Sequence, residues 1–225
     1  MKVTIQQPDY LPGLSFFDRM DQVDLIVLDD DAHQNRRGGN HRGMIKRASS
    51  VLPLNVPISP SNQTLRNTYI DNRKSWREQH WKSIESSYGK AKYWSKYQGV
   101  VHSIYQHEWT FLSDLNIHVI FILKEAFSIQ TSILVASEMD QAFGQGSERI
   151  HKLCGHLGAK RFLSKEGERV DIKALQGQGI TLIQQKYSHP EYPQLGGSFL
   201  PRLSALDLLF NCGPDSLEII RKGRE

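Results

Sequence analysis

The chain has 225 residues and a mass of 25.8 kDa, room for one sizeable domain. Hydrophobic residues make up 39% and the mean hydropathy is −0.47, and no stretch approaches the ~20 uninterrupted apolar residues of a spanning helix. The formal charge of +4 and pI near 9.0 are compatible with nucleic acid or a small anionic ligand but demand neither.

In chain order, "MKVTIQQP" lacks the apolar core of a signal peptide and reads as a strand over 2 to 6. A turn with two prolines follows, then an apolar-faced helix over 14 to 21. "VDLIVLDDD" is a continuous apolar run ended by acids, as expected of a strand buried on both faces of a parallel sheet. Two strands joined by a short helix predict a βαβ unit, whose ligands gather at the carboxyl ends of the strands. That rim would carry Gln6, Gln7 and Tyr10 after the first strand and Asp29 to Asp31 after the second.

The stretch 33 to 47, "HQNRRGGNHRGMIKR", holds five Arg and Lys and no acid, and its glycines suggest a mobile anion-binding loop. "LPLNVPI" (52 to 58) is extended, because its prolines exclude a helix interior. A helical segment is predicted at about 61 to 127. In its first helix Trp76, His80, Ile84 and Tyr88 share a face at i, i+4 spacing, with Asn72 a turn earlier. Beyond 128, "QTSILVAS", "KRFLS" and "ITLIQQKY" read as strands. They alternate with helices in "GSERIHKLCGHLGA", closed by Gly158, and "DIKALQGQG". The expectation is a single α/β domain over 1 to 225, a parallel-sheet Rossmann-like fold with a helical insert.

Each candidate site has a plain structural alternative. Pro8 and Pro12 could pre-set a pocket lined by Gln6, Gln7 and the Tyr10 hydroxyl, or Tyr10 and Leu11 could be core plugs. Asp29 and Asp31 could ligate magnesium and Asp30 act as a base, or all three could be solvated charges at a strand end. His80 and His189 are the histidines singled out. His189 stands in "QQKYSHPEYPQ", another proline-rich strand end, and could be a general base. Cys154 and Cys212 form no disulfide scaffold, and a reduced, cytoplasmic protein is expected. Walker A, Gly-x-Ser-x-Gly and Gly-x-Gly-x-x-Gly motifs are missing from the sequence.

"QPDYLPGLSFFDRM", "VDLIVLDDD", "YIDNRKSWREQHWKSIESSYGKAKYW", "LGAKRFLS" and "QQKYSHPEYPQLGGSFLPRLSALDLLFNCG" together resemble the WbqC-like family of bacterial proteins. The resemblance implies a setting in surface-polysaccharide or O-antigen biosynthesis, or in specialised metabolism. It further implies transfer of an amino acid, often glycine, to an amino sugar. Gln6 replaces the family's usual His, while Asp29, Asp30, Arg36, Asn40, Arg42 and Lys46 fit its pattern.

The first unit is also similar in layout to the nucleotidyltransferase-type α/β fold, without its His-x-x-His. The combined expectation is a transferase forming an amide on an amino-sugar nucleotide or related small metabolite. Arg36, Arg42 and Lys46 would hold phosphates, and Gln6, Gln7, Tyr10, Asp29, Asn40, Asn72, Trp76 and Tyr187 would contact substrate. His189, Asp30 or His80 would move the proton. The donor would be an activated acyl group such as an aminoacyl-tRNA; no cofactor motif is recognised in the sequence, and magnesium is the one candidate ion. The alternative is a non-catalytic binder of sugar nucleotide or nucleic acid through the basic 33 to 47 stretch.

Overall fold

A computed structural model describes residues 1–32, 39–59 and 64–225. The elements run β1 (Lys2–Gln6), α1 (Leu14–Asp21), β2 (Leu25–Leu28), β3 (Arg42–Arg47), β4 (Ser50–Asn55), α2 (Trp76–Tyr88), α3 (Trp94–Gln106) and α4 (Leu112–Ala126). They continue with β5 (Ser132–Val135), α5 (Gly146–His156), β6 (Arg161–Ser164), α6 (Ile172–Gly177), β7 (Thr181–Gln184), α7 (Ala205–Cys212) and α8 (Ser216–Arg221). Five strands form one sheet in the order β5-β2-β1-β6-β7, with every pairing parallel. This is an α/β, Rossmann-like fold. The chain builds outward from β1 to β5 and then crosses back to β6, so the strand order reverses between β1 and β6. Open parallel sheets bind ligands in the crevice at such a reversal, outside the carboxyl ends of the strands.

The period of two in the strands divides the core. Ile26 and Leu28 of β2 join the apolar cluster on one face, while Leu25 and Val27 join the other with Val3, Ile5 and Phe162. Each inward face then needs a helical cover. The first cluster is closed by Leu14, Phe17 and Met20 of α1 and by the buried faces of α2, α3, α4 and α7. The second is closed by Ile150, Leu153 and Cys154 of α5 and Leu175 of α6. Burying one such side chain contributes about 1.5–3 kcal/mol, so these two faces dominate the stability. The helices α2 to α4 pack into the same cluster as α1 rather than around a core of their own. No helix among the described residues is long and apolar enough to cross a membrane.

The basic stretch departs from expectation. Of its described residues, 39 to 47, Arg42–Arg47 form a strand paired antiparallel with β4 through a tight turn at Ala48, which takes a φ of 53°. Pairing buries the middle of the strand on both faces, Gly43 and Ile45 on one and Lys46 on the other, and leaves Arg42 and Arg47 exposed at its ends. Arg36 and His33 lie outside the described residues.

Candidate active site

A cleft of about 660 Å³ opens at the carboxyl edge where β1 and β6 diverge. Its floor is the end of β1, Ile5 to Gln7, with Asp9 in the turn beyond. Asp29 and Asp31 close it from the end of β2, and Lys165, Glu168 and Arg169 from the loop after β6. The segment Gly144 to Ser147, which opens α5, forms the facing wall.

Asp9 is the group best placed for proton transfer. The Asn40 Nδ2 donates to its carboxylate at 2.6 Å. Burial pushes its acid up to about 6, against the pull of that hydrogen bond and of Lys165 and Arg19. A carboxylate with that affinity is mostly ionised at neutral pH yet basic enough to take a proton. Asn40 is itself fixed, because its carbonyl accepts from Tyr10 N–H at 2.9 Å and from Asn116 Nδ2 at 2.9 Å. The Asn116 amide also donates to Pro8 O at 2.9 Å, tying the opening turn to α4.

Arg19 reaches the cleft from α1 and is 8% exposed. Its guanidinium donates to Gln6 Oε1 at 3.0 Å and also to Gln185 Oε1. Burial lowers its affinity for the proton to about 10, which leaves it charged at neutral pH. The Gln6 Oε1 is thus occupied, whereas among the described residues its Nε2 has no hydrogen-bond partner although Gln6 is only 7% exposed. Arg149 of α5 donates through Nε to Asp29 Oδ1 at 2.8 Å, and its Nη2 lies 2.6 Å from the same oxygen. Asp31 pairs with Arg66 at 3.1 Å. Among the described residues Lys165 and Arg169 make no ion pair, and no group of three or more His, Cys, Asp or Glu side chains is arranged to hold a metal ion.

A second cleft, also about 660 Å³, lies on the other side of Arg19 and Lys165, which line both. It is bounded by the start of α1 (Gly13 to Ser15) and by Gln185, Tyr187, His189 and Arg202. His189 donates from Nδ1 to Pro190 O at 3.1 Å, and burial lowers its basicity. The Nε2 of His189 and the hydroxyl of Tyr187 have no hydrogen-bond partner among the described residues.

The sequence-predicted residues therefore separate into groups. Gln6, Gln7, Asp29 and Asn40 come together in the first cleft, and Tyr187 and His189 in the second. Tyr10 is fully buried, with its hydroxyl 2.7 Å from that of Tyr105 and 3.0 Å from His80 Nδ1. It plugs the core, the plainer of the two sequence readings. His80 is 6% exposed inside that cluster, edge-on to Trp76, and desolvation depresses it to about 4. Asn72 accepts from Trp76 Nε1 at 3.2 Å and donates to Trp109 O at 2.8 Å, so Asn72 and Trp76 brace the helical layer.

Asp30 faces away from the cleft and accepts from Ser137 N–H at 3.0 Å and Ser137 Oγ at 2.6 Å. Lys46 is 2% exposed, its Nζ donating to Ser198 O at 2.8 Å and Gln194 Oε1 at 3.2 Å. Arg42 donates to Asn55 across the hairpin at 2.8 Å. Neither of these cations lines either cleft. Asp9, Arg19, Arg149, Lys165, Glu168 and Arg169 were not singled out from sequence. A signal for Asp9 existed, since it sits inside the same proline-framed turn as Gln7 and Tyr10.

Residues 7–219 match the model of the WbqC-like protein family, and the chain belongs to that family. It is also similar to the uncharacterized protein Rv1507c of Mycobacterium tuberculosis (strain ATCC 25618 / H37Rv). The identity is 29% over 231 residues, covering 100% of this chain and 99% of that protein. No solved structure matches the chain.

Proposed function

We propose that this WbqC-like protein is a transferase that forms an amide on a small anionic metabolite, an amino-sugar nucleotide, bound in the first cleft. The observation that carries the reading is the Asp9 carboxyl, tuned to about 6 and held by Asn40 at the carboxyl edge of the sheet among cations. The acceptor's amine nitrogen attacks the carbonyl carbon of an activated acyl donor, an ester or thioester such as an aminoacyl ester. The C–N bond forms and the bond to the leaving oxygen or sulfur breaks. Asp9 takes the proton from the attacking nitrogen and returns it to the leaving group. The Gln6 Nε2 and Gln7 supply hydrogen bonds that orient the acceptor, and an aminoacyl-tRNA is one donor of the required class.

The test incubates the full chain with a uridine diphosphate amino sugar and a set of glycyl esters and thioesters, glycyl-tRNA included. Mass spectrometry should show a glycylated acceptor, and Asp9→Asn should abolish it. An acceptor unchanged with every donor, together with no thermal stabilisation by any sugar nucleotide, would sink the proposal.

A further inference from the structure

The cations that the sequence pointed to for phosphate binding are spent elsewhere, Lys46 inside the fold and Arg42 on Asn55. We propose that the phosphates of the substrate bind instead at the N-terminus of α5, between Ser147 and the pair Lys165 and Arg169. This deepens the sugar-nucleotide reading above and rests on it for the class of substrate, a nucleoside diphosphate.

Four observations converge on this wall of the cleft. The first turn of an α-helix has backbone N–H groups with no intrahelical acceptor, and among the described residues no side chain caps α5 to satisfy them. The preceding turn is left-handed at Gly144 and Gly146, with φ of 76° and 58°. A Cβ at Gly146 would meet no atom within 4 Å, so the backbone there faces open space. An anion can then approach the N–H groups directly, with the helix dipole favouring it. Independently of the helix, Gln6 lines the same cleft, is nine-tenths buried, and has a buried Nε2 donor without a hydrogen-bond partner among the described residues.

Charge also selects this wall. Asp29 and Asp31 would repel a phosphate, but each already faces an arginine, Arg149 and Arg66. Burial raises the Glu168 carboxyl against the pull of Lys165 and Arg19, and its Oε2 accepts from Lys165 N–H at 3.1 Å. Lys165 and Arg169 remain exposed and without ion pairs among the described residues, so they are the cations open to an incoming anion. A phosphate seated there leaves the sugar end of the ligand on the Gln7 and Asp9 side of the cleft, where the amine has to meet its base.

Calorimetry with inorganic pyrophosphate and with a uridine diphosphate amino sugar tests the assignment. Three variants are compared with the wild-type chain. Lys165→Ala/Arg169→Ala removes both cations. Ser147→Pro removes one backbone N–H at a helix position that tolerates proline. Arg42→Ala/Arg47→Ala serves as the hairpin control.

Both probes should weaken by about tenfold or more in the first variant and by several-fold in the second, as expected for lost charge-assisted hydrogen bonds, with the control unchanged. A thermal melt within a degree or two of wild type establishes that Ser147→Pro is folded; if it is not, the exposed double variant decides alone. Binding unaffected in the first two variants, affinity lost only in the hairpin control, or no pyrophosphate binding by wild type would overturn the assignment. Pyrophosphate binding that is lost as expected while no acceptor is ever glycylated would keep the phosphate site and reject the amide-forming reaction.

Discussion

The Arg149 guanidinium sits on the Asp29 carboxylate with Nη2 2.6 Å from Oδ1, and both side chains are at most 10% exposed. The pair joins the helix that opens the cleft wall to the end of β2. Removing one partner of a buried ion pair strands the other charge. Arg149→Met should therefore lower stability by about 3 kcal/mol in urea unfolding. Replacing both charges, in Arg149→Met/Asp29→Leu, should recover most of that loss. A single variant as stable as wild type would mean that water reaches Asp29 freely.

Asp9 predicts a trade between stability and activity. Its acid is raised from 3.8 to about 6 in the fold, so the folded chain holds this proton more tightly than the unfolded one. The contribution of Asp9 to stability thus falls as pH rises from about 4 to 6, by roughly 2 kcal/mol. Asp9→Asn retains an oxygen acceptor for Asn40 and carries no charge. It should be more stable than wild type at pH 7, indistinguishable below pH 4, and inactive. Equal stability of the two proteins at pH 7 would contradict the burial of this carboxylate.

His80 titrates in the opposite sense. Desolvation lowers it from 6.5 to about 4, so the folded chain resists protonation at a position that the unfolded chain protonates readily. The stability linked to His80 is complete above pH 6.5 and is lost as pH falls toward 4, by about 3 kcal/mol. Wild-type stability should then change little between pH 6.5 and 4 through these two groups, because Asp9 and His80 oppose each other. His80→Gln should unmask the Asp9 slope, read as a denaturation midpoint that rises on acidification. A midpoint that falls with the same slope as wild type would count against the assignment.

Leu11 holds a φ of 49° and is 3% exposed, and its side chain fills the space beside Gly43. A Cβ at Gly43 would lie 2.8 Å from Leu11 Cβ and 2.9 Å from Leu11 Cδ1. Gly43→Ala should cost about 1–3 kcal/mol by overpacking and also weaken ligand binding, since the displaced turn carries Asp9. A melting temperature equal to wild type would show that the turn yields without strain.

Much of the architecture was legible because periodicity reports burial directly. "VDLIVLDDD" announced a strand covered on both faces, and Leu25 to Leu28 alternate between the two apolar clusters. Gln6, Gln7 and Asp29 were legible as rim residues because the end of a parallel strand is where ligands collect. Tyr10 was not, since an aromatic in a proline turn looks the same in sequence whether it faces solvent or Tyr105. Lys46 misled for a related reason: a cation in a basic run is normally solvated, and only the fold shows Ser198 O and Gln194 waiting for it. Arg19, Arg149 and Lys165 come from three separated stretches. Their convergence is a property of strand order, which no local pattern encodes.

One guanidinium, Arg19, donates to Gln6 on the floor of the first cleft and to Gln185 in the second. A negative ligand on either side draws on the same positive charge, so two anions bound at once compete for it across a shared wall. Linkage makes that competition mutual: whichever ligand arrives first loosens the hold on the other by an equal factor. Two ligands of unlike charge would escape this penalty, because only one of them would draw on Arg19.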